Sequence, residues 1–381
     1  MLPLEGIRIL DFSTLLPGPL ASLILAEAGA EVIKVERPGG EDMRHYAPMI
    51  GATSASFAIL NRGKRAIEID LRAPGAARQI LDLAPTVDIV LEQFRPGVMA
   101  RLGLGAEQWH AANPRIIYCA ITGYGQTGPL AATAGHDLNY QARSGLLGLC
   151  AGTDAMPGMP PLLAGDIGGG TYPAVVNILL ALRRRDRTGE GCFIDVAMTE
   201  NLFTFLFWGI AAGNATGQWP RTGRELFTGG SPRYRVYATA DARHLAVAPL
   251  EDKFWAIFCD AIALPADYRD DTINAEATAA AVARILASRP AAHWEDLFAK
   301  TDCCVAVVRS LEEAVRDLHF RARSVFGREV AIPGHVLPAL PVPVITALRS
   351  ADSRSPAPSL DADPLKWLFP AKEEIPWTPP S

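Results

Sequence analysis

The first 130 residues alternate short apolar runs with longer segments of mixed polarity, and this alternation restricts the fold more than any other feature. The apolar runs are residues 7–11, 31–35, 66–70, 89–92 and 116–121. Strands separated by helix-length segments form βαβ units, whose parallel sheet is covered by helices on both faces. The sequence therefore predicts an α/β fold with a parallel sheet in the first part of the chain.

The residues after about 230 follow a different pattern. Residues 234–239 and 244–247 alternate with a period of two around a turn at 241–243, which predicts a β-hairpin. Helices are predicted at 251–262, 276–287, 292–300 and 311–317. The segment from Pro333 onward is dense in proline, so we expect it to wrap over the surface as an irregular strap.

These patterns divide the chain into regions. We place a large Rossmann-like domain at 1–190, a helical linker at 191–224 and a smaller α+β domain at 225–320. Residues 361–381 are assigned to a C-terminal strap. Two domains suit a chain of 381 residues, because single domains are usually shorter than this.

Composition argues against several classes of function. The net charge is -5 and no long basic stripe is present, so nucleic acid is not an expected partner. The six cysteines include no CxxC pair, and no metal site is predicted. The longest apolar stretches, 172–182 and 202–212, are too short to cross a bilayer, and residues 1–6 lack the features of a secretory signal. We therefore expect a cytoplasmic protein without a membrane partner.

Polar and basic residues follow several of the predicted strands. Ligands on parallel sheets bind beyond the carboxyl ends of the strands. Segments 13–15, 36–38, 94–97 and 122–125 lie at such ends, and 61–65 adds three further cations. Solvated surface is the usual place for arginine, but guanidinium groups near strand ends also suit phosphates, and we favour phosphate binding. The GxGxxG match at 123–128 is a weak dinucleotide signal, since a proline follows it at once.

Two glycine-flanked residues, His136 and Asp166, are the main candidates for catalysis. An imidazole and a carboxyl group on opposite faces of one carbon can remove a proton from one side and return it from the other. Taken singly, His136 could be a structural histidine and Asp166 could cap a helix. Glu251 follows a predicted strand, and an acid in the first turn of a helix is also its simplest explanation.

Several segments together resemble the class III (formyl-CoA transferase type) CoA-transferases and α-methylacyl-CoA racemases. The similarity covers essentially the whole chain. It is carried by residues 4–11 with the Pro-Gly-Pro at 17–19, and by 29–38, 61–65, 94–98 and 122–129. The Gly-His-Asp-Leu-Asn-Tyr segment at 135–140 matches the racemase branch of the family in full.

The resemblance implies a role for each candidate residue. His136 and Asp166 would be the two acid/base groups, and Glu251 would pair with the histidine. In the transferase branch, Asp166 would instead be a nucleophile that forms acyl and CoA adducts. The residues implied to bind CoA are Leu15, Arg37, Arg62, Lys64, Arg65, Arg95, Gly123, Tyr124, Gly125 and Asp137.

The resemblance also implies an assembly and a reaction. Family members are interlocked homodimers in which the small domain of one subunit completes the active site of the other, and the large domain is completed by about 325–360. We expect a racemase that interconverts (R)- and (S)-2-methylacyl-CoA thioesters through an enolate. No tightly bound cofactor or metal is expected, because CoA enters as part of the substrate. The alternatives are an acyl-CoA:carboxylate CoA-transferase and, less favoured, a non-catalytic CoA-binding protein.

Overall fold

The computed structural model describes residues 1–151 and 156–361. Its strands, numbered in chain order, are β1 (Arg8–Asp11), β2 (Glu31–Glu36), β3 (Met49–Ile50), β4 (Thr53–Ser54), β5 (Arg65–Glu68), β6 (Ile89–Glu92), β7 (Ile117–Thr122), β8 (Cys192–Ala197), β9 (Arg235–Ala238), β10 (His244–Val247), β11 (Val305–Val307), β12 (Glu329–Ile332), β13 (His335–Pro338), β14 (Arg354–Pro356) and β15 (Leu360–Asp361).

The helices are of three kinds. The α-helices are α1 (Pro17–Glu27), α2 (Ala55–Asn61), α3 (Ala76–Leu81), α4 (Val98–Arg101), α5 (Ala106–Ala112), α6 (Asp137–Ser144), α7 (Leu146–Leu149), α8 (Tyr172–Thr188), α9 (Met198–Asn201), α10 (Phe207–Thr216), α11 (Asp252–Ala261), α12 (Ala275–Leu286), α13 (Ala291–Phe298), α14 (Leu311–Arg316) and α15 (Leu318–Ala322). Short 3-10 helices occur at Asp42–His45, Ala84–Thr86, Leu202–Leu206, Leu226–Thr228, Ala266–Tyr268 and Thr346–Leu348. Ala164–Thr171 forms a π-helix.

The chain divides into two compact units. Of the described residues, the first contains Met1–Ser144, Leu163–Phe203 and 321–361, and the second contains 145–151, 156–162 and Thr204–Phe320. The linker predicted at 191–224 differs from this division, because its first residues form β8 and pair with β7 from Ile117↔Cys192 to Thr122↔Ala197. The run at 192–197 is therefore a strand of the first unit.

A seven-stranded sheet forms the centre of the first unit, in the order β15-β5-β2-β1-β6-β7-β8. Every pair in it is parallel, which confirms the α/β fold and the parallel sheet. All residues of β6 and β7 are buried, as expected for strands covered on both faces. The apolar core on one side includes Leu10, Ile33, Val90 and Trp109.

The strand order reverses at β1, and this reversal positions the site. The chain runs from β1 outward through β2 to β5, and then returns to place β6 on the other side of β1. A crevice opens beyond the carboxyl ends of two strands whose connections leave in opposite directions. The segments that follow β1 and β6 therefore border the place where a ligand is expected.

The proline-rich segment after Pro333 is not an irregular strap, which corrects that prediction. β12 pairs with β13 and β14 in a three-stranded sheet, and β15 adds a parallel strand to β5 at the edge of the large sheet. Pro338 and Pro356 lie on the two outer strands, where a missing N–H removes no interstrand hydrogen bond. Of the strap placed at 361–381, residues 362–381 lie outside the described residues.

The second unit contains a three-stranded antiparallel sheet in the order β11-β10-β9. β9 and β10 form the predicted hairpin, with Leu245 opposite Tyr237. Its core includes Trp255, Phe258 and Phe298, contributed by α11 and α13. The unit is thus the α+β part of the chain.

Candidate active site

A cavity of about 410 Å³ lies in the first unit, beyond the carboxyl ends of the central strands. Its walls include Leu15 after β1, Phe94 and Arg95 after β6, and Gly123 after β7. His136 and Asp166 also border it. Two segments that are 30 residues apart in sequence are therefore brought to one cavity, at the position expected for a ligand on a parallel sheet.

His136 immediately precedes α6, and its backbone is fixed on both sides. Its N–H donates to Oδ1 of Asn139 at 3.0 Å, while its carbonyl oxygen accepts from the N–H groups of Asn139 at 2.8 Å and Tyr140 at 3.2 Å. A polar side chain three residues into a helix that bonds back to the N–H before the helix is a capping arrangement. The backbone is thus held in place, while the His136 side chain remains exposed to the cavity.

Asp166 lies near the start of the π-helix Ala164–Thr171. This irregular turn is held by hydrogen bonds to neighbouring segments: Asn201 donates to the carbonyl oxygen of Gly169 at 2.8 Å, and Thr171 of the π-helix donates to that of Pro17 at 2.8 Å. A side chain at Gly169 would meet backbone, since its Cβ would lie 2.1 Å from the Met198 carbonyl oxygen. π-Helical turns are uncommon and are frequent at functional sites.

The Asp166 carboxyl group takes up a proton unusually easily. Burial and, to a smaller extent, the nearby charge of Asp137 raise the pKa of Asp166 to about 6, while His136 opposes the shift. An acid with a pKa near the working pH is present in both protonation states.

Asp137 is buried and binds the segment that carries Asp166. Its Oδ1 accepts hydrogen bonds from the N–H groups of Gly165 at 2.7 Å and Asp166 at 3.0 Å. Its Oδ2 accepts one from Gln141 at 2.5 Å. Both oxygens therefore accept hydrogen bonds within the protein, and the role of this residue in binding CoA stays a prediction.

Arg62 and Lys64 were also predicted to bind CoA, and their side chains are buried instead. Arg62 pairs with Glu27 at 2.9 Å and donates to the carbonyl oxygen of Leu340 at 2.9 Å. Lys64 donates to Oδ1 of Asn61 at 2.7 Å, and burial lowers the pKa of Lys64 to about 7. Their charged groups are paired inside the first unit, and CoA binding by these two residues stays a prediction.

Two other predicted cations lie on the surface. Arg37 pairs with Asp42, and Arg65 pairs with Glu31 at 3.0 Å. The guanidinium groups of Arg37 and Arg65 remain more than half exposed, and neither residue lines the cavity. Their role in binding CoA stays a prediction.

The remaining predicted binding residues lie in the segments that follow β1, β6 and β7. Leu15, Arg95 and Gly123 line the cavity directly. Leu15 has a φ of +62°, and its N–H donates to Glu41 at 2.7 Å. Tyr124 and Gly125 continue the turn after β7. In that turn the N–H of Gly125 donates to Thr122 at 2.9 Å.

Glu251, the third catalytic candidate, belongs to the second unit. It is exposed and occupies the residue before α11. Acids are favourable at that position of any helix. Its pairing with His136 stays a prediction.

Three residues of the site were not singled out from the sequence. Asn139 caps the segment after His136, and Tyr140 donates its hydroxyl proton to the carbonyl oxygen of Gly135 at 2.6 Å. Both belong to the motif at 135–140, so the signal for them was present in the spacing. Gln93 lines the cavity and accepts from the N–H of Gly18 at 3.0 Å, which no sequence pattern indicates.

Metal clusters and membrane-spanning helices are both absent from the part of the chain that the structure describes. Within 1–151 and 156–361, no three His, Cys, Asp or Glu side chains are grouped so that they could hold a metal ion. Over the same ranges, no helix has both the length and the apolar character needed to cross a membrane.

The chain is similar to known proteins in both sequence and structure. A family model described as CoA-transferase family III matches residues 4–364. The chain is 34% identical to the alpha-methylacyl-CoA racemase of Mus musculus, over 95% of this chain and 90% of that protein. It is 33% identical to the acetyl-CoA:oxalate CoA-transferase of Acetobacter aceti, over 94% of this chain and 93% of that protein. The crystal structure of Rv3272 from M. tuberculosis superposes with a TM-score of 0.81 at 28% identity, covering 94% of this chain and 97% of that chain.

Proposed function

The chain belongs to CoA-transferase family III, and from this premise we propose that it is a racemase that interconverts (R)- and (S)-2-methylacyl-CoA thioesters. The observation that carries the proposal is the pair His136 and Asp166, which border one cavity with a carboxyl group that has a pKa of about 6. The similarity to an alpha-methylacyl-CoA racemase supports the same reaction.

The reaction would transfer the α-proton between two bases. A thioester makes its α-hydrogen acidic, because the carbanion delocalises into an enolate. Neutral His136 would take the proton of one enantiomer while protonated Asp166 delivers a proton to the opposite face, and the reverse reaction would exchange these roles. With a pKa of about 6, Asp166 has both forms available near neutral pH.

The enolate oxygen needs hydrogen-bond donors, and the start of α6 offers them. Within the described residues, the N–H groups of Asp137 and Leu138 donate no hydrogen bond. Free N–H groups at the beginning of a helix attract negative charge. In a cavity that excludes water, such donors stabilise an oxyanion more than water would. We assign the enolate oxygen to this position, beside His136.

The rest of the thioester would occupy the cavity mouth. Arg95 is the cation that lines the cavity, so we assign it to the CoA phosphates. Leu15 and Gly123 would contact the pantetheine arm through backbone and apolar surface. Glu251 would orient the His136 imidazole, as the family resemblance implies. A cytoplasmic homodimer is part of the same proposal, and sedimentation of the purified protein tests the dimer.

Proton exchange with solvent tests the racemase directly. The protein is incubated with one enantiomer of a 2-methylacyl-CoA in deuterium oxide, and both deuterium uptake and chirality are followed. His136→Ala is expected to abolish exchange, and Asp166→Ala is expected to prevent inversion in either direction. The control is His335→Ala, which removes an exposed histidine of β13 and should leave both rates unchanged. Exchange by His136→Ala at the rate of the unmodified protein would contradict the assignment.

A CoA-transferase is the second candidate, favoured by the similarity to an acetyl-CoA:oxalate CoA-transferase. Asp166 would then attack the thioester carbonyl and release the CoA thiolate, which would attack the Asp166 carbonyl of the resulting anhydride, releasing the donor acid and leaving an aspartyl-CoA thioester. The acceptor acid would attack this thioester and release the thiolate again, and the thiolate would take the acceptor acyl group from the second anhydride, which restores the Asp166 carboxylate. The same incubation with and without a dicarboxylic acceptor separates the two reactions. Acceptor-dependent turnover with hydroxylamine trapping at Asp166 would establish transfer. CoA binding without exchange or transfer would instead establish a non-catalytic binding protein.

A further inference from the structure

Asp137 connects the two segments that carry the proposed proton carriers. It follows His136 directly and begins α6, while its Oδ1 accepts hydrogen bonds from Gly165 at 2.7 Å and Asp166 at 3.0 Å. An acid in the first turn of a helix usually caps the free N–H groups of its own helix. The Asp137 carboxylate instead bonds two successive N–H groups of a segment 28 residues further along the chain.

This contact is specific in its geometry. A Cβ atom at Gly165 would lie 3.1 Å from Oδ1 of Asp137 and 3.1 Å from the Tyr140 ring, so the close approach depends on glycine. Gln141 donates to Oδ2 at 2.5 Å and fixes the carboxylate from the other side. Asp137 is only 6% exposed, so these hydrogen bonds are shielded from water. Hydrogen bonds to a charged acceptor are about twice as strong as those between neutral groups.

The charge of Asp137 also acts on Asp166. The titratable groups that face Asp166 are Asp137 and Tyr140 on α6, and His136 before it. Of these, Asp137 disfavours the ionised form of Asp166 and His136 favours it. The Asp137 carboxylate thus holds the Asp166 backbone and disfavours a negative charge on the Asp166 side chain. Both effects suit a residue that keeps Asp166 protonated as a proton donor.

We propose that Asp137 is a positioning residue, whose carboxylate holds the Asp166 turn so that the Asp166 carboxyl group faces the cavity bordered by His136. This role differs from the CoA contact expected for Asp137 from the sequence. It rests on the proposed function only where it concerns proton transfer. The hydrogen bonds and the effect on the titration of Asp166 can be tested without substrate.

The variants Asp137→Asn and Asp137→Ala separate charge from hydrogen bonding. The amide oxygen of Asn can accept both N–H groups but carries no charge, whereas Ala removes both properties. Arg143→Gln is the matched control, because it changes an exposed charge on the same helix. Thermal denaturation of each variant reports whether the fold is kept.

The first measurement is a 13C NMR titration of aspartate carboxyl groups in the full protein without ligand. The Asp166 signal is assigned by its loss in Asp166→Asn. We expect Asp137→Asn to move the titration midpoint of Asp166 from about 6 toward its ordinary value of 3.8, and Arg143→Gln to leave it in place. An unmoved midpoint in Asp137→Asn would overturn the charge effect.

The second measurement is the rate of α-proton exchange as a function of pH. We expect Asp137→Ala to lower kcat roughly 10²-fold with KM changed less than about two-fold, because a displacement near 1 Å costs a catalytic group about that much. Asp137→Asn should lose less activity than Asp137→Ala, and the acidic limb of its pH profile should shift to lower pH. Exchange by Asp137→Ala at the unmodified rate would overturn the positioning role.

The two measurements distinguish a failure of the proposed racemase from a failure of the role proposed for Asp137. If the unmodified protein exchanges no α-proton, the racemase is wrong, and the NMR titration still decides whether Asp137 controls Asp166. If Asp137→Ala does not fold, Asp137→Asn and the titration decide the proposal alone.

Discussion

Tyr140 donates its hydroxyl proton to the carbonyl oxygen of Gly135 at 2.6 Å, and so holds the residue that precedes His136. Burial raises the pKa of Tyr140 to about 12, so the hydroxyl group keeps its proton at any working pH. The ring leaves no space beside Gly123, where a Cβ would lie 2.6 Å from it. Tyr140 therefore connects the turn after β7 with the entrance to α6.

Tyr140→Phe tests this connection, because it keeps the ring and removes the hydrogen bond. We expect the free energy of unfolding to fall by about 0.5–1.5 kcal/mol, the usual net value of one hydrogen bond. The exchange rate should fall roughly ten-fold because His136 loses part of its backbone support. Tyr46→Phe is the control, since its side chain is exposed and does not line the cavity. Equal effects of the two variants would show that the hydroxyl of Tyr140 has no special role.

Gly169 and Gly170 provide a matched pair in the π-helix that carries Asp166. A Cβ at Gly169 would lie 2.1 Å from the backbone oxygen of Met198, whereas one at Gly170 would lie 3.0 Å from its flexible side chain. We expect Gly169→Ala to lower the free energy of unfolding by about 1–3 kcal/mol and Gly170→Ala by clearly less, because methionine adapts. Urea denaturation of both variants measures the difference. Equal losses would contradict the close backbone packing of this turn.

The π-helix also shows where prediction from the sequence ends. The strands at 7–11 and 89–92 were predictable, because short apolar runs at this spacing can be buried only in a covered sheet. The glycine-rich run around Asp166 carries no comparable signal. Its shape is set by Asn201, Thr171 and Met198, which lie on other parts of the turn or on other segments.

The roles of the basic residues were also difficult to predict from the sequence. Arg62, Lys64 and Arg95 look equally suited to phosphates in the sequence. Arg62 is neutralised by Glu27, 35 residues earlier, and Lys64 lies 3.5 Å from Asp11. Local sequence cannot reveal such partners, because they are brought together only when the sheet forms. His136 and Asp166, by contrast, were found from motifs whose glycines and spacing are local.

Arg95→Ala is expected to weaken binding of the CoA thioester, whereas Arg62→Ala is expected to destabilise the fold. Arg95 lines the cavity, so its loss should raise KM for the CoA thioester roughly ten-fold or more with little change in stability. Arg62 is buried against Glu27, so its loss leaves this buried carboxylate with the longer contact to Arg328 at 3.4 Å and should lower the free energy of unfolding by about 3 kcal/mol. Steady-state kinetics and urea denaturation of both variants give the comparison. A raised KM in a stable Arg62→Ala protein would support its predicted CoA contact.

Asp166 should make the protein less stable as the pH rises. Its pKa is about 6 in the folded protein against an ordinary 3.8, so between these values the folded state holds more protons than the unfolded state. Stability is then lost as the pH rises through this window, by up to about 2–3 kcal/mol. Asp166→Asn should therefore gain stability over the unmodified protein between pH 4 and pH 7. The exposed Asp186→Asn serves as the control, and a pH-independent difference for Asp166→Asn would exclude the raised pKa.

Four buried charges lie beneath the loop that carries Leu15: Asp11, Lys34, Glu41 and Lys64. Lys34 pairs with Glu41 at 3.0 Å and donates to the carbonyl oxygen of Ser13 at 2.6 Å. Glu41 accepts from the N–H of Leu15 at 2.7 Å, which helps hold Leu15 at its positive φ. The ion pair thus supports one wall of the cavity.

Removing one partner of this pair should cost more than removing both. Lys34→Met leaves Glu41 ionised without its partner, and we expect a loss of about 3–5 kcal/mol in the free energy of unfolding. Glu41→Gln should also destabilise the protein, because the buried charge of Lys34 then loses its salt bridge. The double variant Lys34→Met with Glu41→Gln has neither unpaired charge, so its loss should be smaller than the sum of the single losses. Urea denaturation of the unmodified protein, the two single variants and the double variant completes the double-mutant cycle. If the two single losses add up to the double loss within about 0.5 kcal/mol, the two charges do not depend on each other.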